Sequence, residues 1–137
     1  LTMRPNNTPT YCRNGSIDLS VAVSSFYNNY LYYQWERSTD GGVTWTSAPE
    51  MPGVQTFTYT DFGSDYRDTV AVPTFIATSA MDGYKYRIRT ATILANLSND
   101  NCSIYNSSDV ITISVDPDCV PLNAEVLNFN IRLNNSK

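Results

Sequence analysis

From Leu31 to Thr46 the sequence runs Leu-Tyr-Tyr-Gln-Trp-Glu-Arg-Ser-Thr-Asp-Gly-Gly-Val-Thr-Trp-Thr. Glycine reaches positive φ without a Cβ clash, so Asp40-Gly41-Gly42 can reverse the chain between two β-rich runs. The spacing predicts a hairpin. Side chains alternate along a strand, which puts Leu31, Tyr33 and Trp35 on one face and Tyr32, Gln34 and Glu36 on the other. Trp35 is therefore the candidate core anchor, and Trp45 is expected to fold back over the hairpin.

The flanking segments repeat this logic. Ser16 to Val23 alternates, with Ile17, Leu19, Val21 and Val23 facing one way, and reads as a half-buried strand. Residues 24–30 read as a polar loop. Two prolines in Ala48 to Gly53 break the pattern, because proline donates no ladder hydrogen bond. Gln55 to Tyr59 resumes a short strand, Thr60 to Asp68 reads as an exposed acidic loop, and Thr69 to Val72 as another strand. Thr74 to Met81 is compatible with a helical turn. In Asp82 to Arg89, Tyr84, Tyr86 and Ile88 oppose Lys85, Arg87 and Arg89, so one buried face is expected. Ile111, Ile113 and Val115 point inward on a closing strand. About seven short strands without an amphipathic helix imply an all-β, antiparallel sandwich.

Composition narrows the function classes. A formal charge of −4 with nine basic residues argues against a nucleic-acid partner, since phosphate binding draws on clustered Lys and Arg. Histidine is absent, which removes the commonest general base and a common metal ligand. The expectation is a chain with no catalytic residues, no metal site and no cofactor. No apolar run approaches the ~20 residues that span a bilayer, so no membrane insertion is expected. Leu1 to Pro5 does not read as a signal peptide, and the chain reads as a mature or excised piece. Three cysteines in a small β domain favour an oxidising compartment, extracellular or at the cell surface.

Cys12 to Val115 resembles an immunoglobulin-like domain. Val21 and Trp35 are fourteen apart, and Asp82, Tyr84, Tyr86 and Ile88 are spaced like the D-x-A-x-Y-x-C run of that family. The resemblance implies Tyr86 at a tyrosine corner, with Val21 and Ile88 in place of the two core cysteines. Tyr33 to Trp45 is similar to the Y-Q-W-x-x-S-T-D-G-G-x-T-W stretch of immunoglobulin-like modules in large secreted proteins of Bacteroidetes type. Cys119 to Phe129 is similar to the linker that opens the next module in type IX secretion cargo, with Asn123 and Ala124 departing from the usual Pro-Val. The implied domains are 1–11 as linker or edge strand, 12–118 as the sandwich, and 119–137 as linker plus a strand of a following module.

Family habit suggests a Cys12 to Cys102 disulfide. In an immunoglobulin-like topology, however, those positions lie at opposite ends, about seven strand residues or ~23 Å apart, whereas bonded Cα atoms approach within about 7 Å. Cys12 with Cys119 is the expected pair, leaving Cys102 free or linked to another module. The same topology would gather Tyr27, Tyr30 and Tyr105 at one pole, as candidate contacts for a glycan or a surface protein. Asp61, Asp65, Asp68 and Asp82 could offer oxygen to calcium, but their spacing matches no EF-hand and favours solvated turns. Leu127, Phe129, Ile131 and Leu133 alternate beyond the last strand and are expected to belong to a following module or to be donated to a neighbouring chain. The expected role is a non-catalytic spacer or adhesion module partnered by neighbouring modules or identical subunits. A carbohydrate-binding module and a strand-donating fibre subunit are the alternatives.

Overall fold

A computed structural model describes the backbone of residues 2–5 and residues 10–47, 49–103 and 110–119 in full. Its strands are β1 (Thr2–Pro5), β2 (Thr10–Cys12), β3 (Ser16–Ile17), β4 (Ser20–Ser25), β5 (Tyr32–Ser38), β6 (Thr46–Ser47), β7 (Gln55–Thr56), β8 (Thr60–Asp61), β9 (Tyr66–Ala71), β10 (Phe75–Ile76), β11 (Lys85–Ala91), β12 (Ile111–Thr112) and β13 (Ser114–Asp116). Short 3-10 turns cover Ser79–Met81 and Leu94–Ser98.

Two larger sheets form the all-β, sandwich-like body. One has the order β1-β4-β9-β8, the other β12-β11-β5-β6 with β7 also on β5. Strand β5 pairs with β11 over its whole length, Trp35 opposite Ile88 and Tyr32 opposite Ala91. Two small ladders close the lower end: β3 with β10, and β2 with β13, the latter parallel.

The core lies between the large sheets. Ile17, Leu19, Val21, Val23 and Val70 come from one side, and Trp35, Tyr86, Ile88, Ile111 and Ile113 from the other. Trp35 is 1% exposed and Tyr86 fully enclosed. Alternation is the cause, because residues at i and i+2 share the face that meets the opposite sheet. At the upper end Tyr33, Phe57, Tyr59 and Tyr66 continue the core as a chain of ring contacts, with centroids 4.6 to 6.4 Å apart.

Several sequence expectations need correction. The strand expected over Ser16 to Val23 is broken at Asp18-Leu19, where the chain leaves the small ladder with β10 and joins the larger sheet; this is one reason why thirteen strand segments stand among the described residues. Leu31 is exposed rather than buried with Tyr33 and Trp35: its N–H donates to the Ala91 carbonyl and its own carbonyl accepts from Phe57 N–H, but its side chain stands at the open upper end of the sheet. The supposed acidic loop 60–68 is β8, a short turn and the start of β9, joined by the pairs Thr60 with Arg67 and Asp61 with Tyr66. The Asp-Gly-Gly turn is wider than a two-residue hairpin. Pairing resumes only at Thr46, opposite Arg37, while Gly41 and Gly42 take φ of 77° and 95°, a region that side chains rarely adopt. Finally, Arg87 and Arg89, expected on the wet face of β11, are only 7% and 9% exposed.

The described chain begins and ends at opposite poles. Thr2 pairs with Ser24 beside the loop 26–31, so β1 starts at the upper pole. Strand β13 runs downward, and the chain reaches Cys119 at the lower one. There a disulfide joins Cys12 to Cys119, with Cα atoms 4.7 Å apart.

Candidate functional site

The outer face of β5 and β11 carries the densest polar chemistry among the described residues. Lys85, Arg87 and Arg89 alternate along one edge-on row of β11, opposite Ser38, Glu36 and Gln34 on β5. Glu36 Oε1 accepts from Arg87 Nε at 2.9 Å and from Arg89 Nε at 3.1 Å. Arg89 also donates to Asp100 Oδ1 at 2.6 Å and to Ser103 Oγ at 2.9 Å. Burial opposes the charge of Arg89, yet its hydrogen bonds to Asp100 and Glu36 prevail and hold the guanidinium pKa above its ordinary value.

The loop after β5 covers this row. Asp40 Oδ1 accepts from Ser38 Oγ and from the backbone N–H of Val43 and Thr44, and its Oδ2 accepts from Thr44 Oγ1. These bonds, led by the Thr44 hydroxyl, push the Asp40 carboxyl down to about 2. They also fix the loop, because each consumes a backbone donor or rotor that would otherwise be free to move. Trp45 Nε1 donates to the carbonyl of Gly42 at 3.1 Å, which lays the indole against the Arg87 guanidinium, 4.0 Å from the ring centroid. A cation over an indole face is attracted by the ring quadrupole.

The result is a groove of about 700 Å³ lined by Gly41, Gly42, Val43, Trp45, Lys85, Arg87, Arg89, Asp100 and Val110. Lys85 Nζ donates to Thr112 Oγ1 at 2.8 Å, and no carboxylate lies within ion-pair distance of it among the described residues. Among the described residues of this face and its covering loop, three cations, Lys85, Arg87 and Arg89, meet three carboxylates, Glu36, Asp100 and Asp40.

A second polar cluster sits at the inner lower edge. Glu50 Oε2 accepts from Arg37 NH1 at 2.8 Å and its Oε1 from the Tyr86 hydroxyl at 2.6 Å, while the Arg37 guanidinium lies 5.3 Å from the Tyr84 ring centroid. The tyrosine-corner role implied for Tyr86 is thus replaced: its hydroxyl goes to a carboxylate rather than to the backbone. Burial, then the bond to Glu50, pushes the Tyr86 phenol up. The cluster pins residues 49–53 over the core.

The upper pole gathers exposed apolar side chains, Phe26, Tyr27, Leu31, Phe62, Ile93 and Leu94. Of the candidate contact residues, Tyr27 is 73% exposed there. Tyr30 instead packs against the core, and its carbonyl accepts the Tyr59 hydroxyl at 2.8 Å. Tyr105 and the strand Leu127, Phe129, Ile131 and Leu133 lie outside the described residues. The acidic residues weighed for calcium serve turns and ladders: Asp61 accepts from Gly63 N–H, Asp65 from Arg67, Asp68 from Thr58 and Thr69 N–H, and Asp82 from Val115 N–H. Among the described residues no three metal-capable side chains converge, and Cys102 is exposed and unpaired.

The groove was missed because Lys85, Arg87 and Arg89 read as solvated alternates of a half-buried strand. Their signal lay in combination, three cations on alternate positions plus a tryptophan in a glycine loop. No protein-family model matches the sequence, and no curated protein matches it significantly.

Proposed function

We propose that the chain is a non-catalytic, immunoglobulin-like module of a larger secreted or cell-surface protein, acting as a spacer and interaction unit between neighbouring modules. The strand order supports the finer fold. The sheet β1-β4-β9-β8 corresponds to the four-strand sheet of that architecture and β12-β11-β5 to the three-strand one, with β6 as an added edge. The observation that carries the function is the opposite-pole arrangement: β1 starts beside loop 26–31, and Cys119 leaves at the far end, held to β2 by the disulfide. A string of modules needs such a through-path. A disulfide in a small β domain also fits an oxidising, extracellular setting, as does the resemblance to bacterial surface modules.

Strand donation through Leu127, Phe129, Ile131 and Leu133 is the competing reading. Light scattering of the chain with and without residues 124–137 separates the two. A spacer gives the same monomer mass for both; concentration-dependent polymers that vanish with the deletion overturn it.

A further inference from the structure

We propose that Asn14 is a site of self-modification, converting through a cyclic imide to aspartate and isoaspartate, and that the Cys12 to Cys119 disulfide holds this site shut. The proposal does not depend on the module's place in a larger protein. Three observations converge on it.

The first is the residue pair. Asn14 and Gly15 form the turn between β2 and β3. Asn14 holds φ at 67°, a region that asparagine tolerates better than most side chains. A Cβ on Gly15 would sit 2.9 Å from the Cys12 carbonyl oxygen, a backbone atom, so the turn requires glycine there. Glycine also leaves its own amide nitrogen least shielded for attack on the preceding side chain. The turn therefore selects the pair that closes an imide ring most readily.

The second is that the folded turn keeps the nucleophile engaged. Ring closure needs the Gly15 nitrogen on the side-chain carbon of Asn14. That N–H instead donates to the Cys12 carbonyl at 2.9 Å, while Asn14 N–H donates to the Ala77 carbonyl and Ala77 N–H to the Gly15 carbonyl, both at 2.8 Å. These bonds must loosen before the ring can form. Water is at hand throughout, because Asn14 is exposed.

The third is what anchors the turn. Cys12, two residues before Asn14, is bonded to Cys119, and Ile17, two residues after Gly15, is fully buried. With both flanks tied, the turn opens only when the lower pole does. With the bond open, the leading flank rests on the three pairs of β2 with β13, and a short ladder opens locally far more often than the whole domain unfolds.

The reaction balances with water alone. The Gly15 nitrogen gives its proton to solvent and bonds to Asn14 Cγ, the Cγ–Nδ2 bond breaks, and ammonia leaves. Water then opens the five-membered imide at either carbonyl. Both products add a negative charge, and isoaspartate also lengthens the backbone of the turn. Opening the disulfide is a separate step, thiol exchange with an added dithiol that is itself oxidised to a disulfide.

The test incubates the oxidised chain, the dithiothreitol-reduced chain and a Cys119→Ser chain in mildly alkaline buffer. Peptide mass spectrometry reads the amide-to-acid change and the isoaspartate at residue 14. The reduced and Cys119→Ser proteins are expected to react about tenfold faster than the oxidised one, or more. A second measurement separates a local gate from general destabilisation: oxidised protein in enough urea to match the unfolding free energy of the reduced protein should still react more slowly. Equal rates in oxidised and reduced protein, whether fast or slow, or equal rates at matched stability, would overturn the assignment.

Discussion

Replacing Glu36 with Gln keeps the shape of the side chain and removes the one carboxylate that two buried guanidiniums share. The side chains of Arg87, Arg89 and Glu36 are 9%, 11% and 14% exposed, so water cannot fully replace what is lost. Breaking a buried ion pair from one side typically costs about 3 to 5 kcal/mol, because the remaining charge stays buried. Here the cost is moderated, since Arg89 keeps Asp100 and Ser103 and Arg87 keeps the Trp45 ring. A loss of about 2 to 4 kcal/mol is expected for Glu36→Gln. Asp65→Asn provides the contrast. Its partner Arg67 is 51% exposed, and exposed pairs contribute about 0 to 1 kcal/mol. Urea unfolding followed by tryptophan fluorescence should move the Glu36→Gln midpoint down by about 1 to 2 M at an ordinary m-value and leave that of Asp65→Asn nearly in place. If the two variants unfold at the same midpoint, the row on β11 is solvated and its burial has no energetic consequence.

Other consequences follow from the core, the disulfide and the buried phenols. Trp35→Ala removes a side chain 1% exposed and should cost about 3 to 5 kcal/mol, so an unchanged melting curve would refute its place between the sheets. Reducing the Cys12 to Cys119 bond, which closes a sequence separation of 107, should cost about 2 to 5 kcal/mol by freeing the unfolded chain; the thermal midpoint with and without reductant measures it. Burial pushes Tyr11 and Tyr59 up to about 12 and raises Tyr33 and Tyr86 as well. A raised folded pKa stabilises fully below the unfolded value near 10 and is lost as pH rises through the folded one. Tyrosinate absorbance and loss of β-sheet circular dichroism should therefore appear together between pH 10 and 12; four phenols ionising at pH 10 in a folded protein would contradict this.

Alternation made much of the core legible. Ile17, Leu19, Val21 and Val23, and then Ile111, Ile113 and Val115, lie on period-two runs that only one buried face explains, and all of them are buried. Strand breaks were not legible, because the Asp18-Leu19 switch between ladders depends on which partner strand is in reach. The second face of β11 escaped for a similar reason. A lone alternating strand marks its charged residues as wet, and only tertiary placement of Glu36, Trp45 and Asp100 covers Arg87 and Arg89 on the outer face. Leu31 shows the opposite error: the period and the backbone hydrogen bonds extend to it, but the core does not.

Force applied between the two ends of the chain tests most directly whether the chain is a folded module whose ends are clamped by the Cys12 to Cys119 bond. With the disulfide closed, load entering at β1 and β2 passes from Cys12 to Cys119 and bypasses the sandwich between them. In optical-tweezers extension with handles at both termini, oxidised protein is expected to show no step beyond the short segments outside the bond. Reduced protein should add a step of roughly 350 to 390 Å, the extended length of the 107-residue separation. A step of that size in oxidised protein, or its absence after reduction, would contradict a folded module whose load path runs through Cys12 and Cys119.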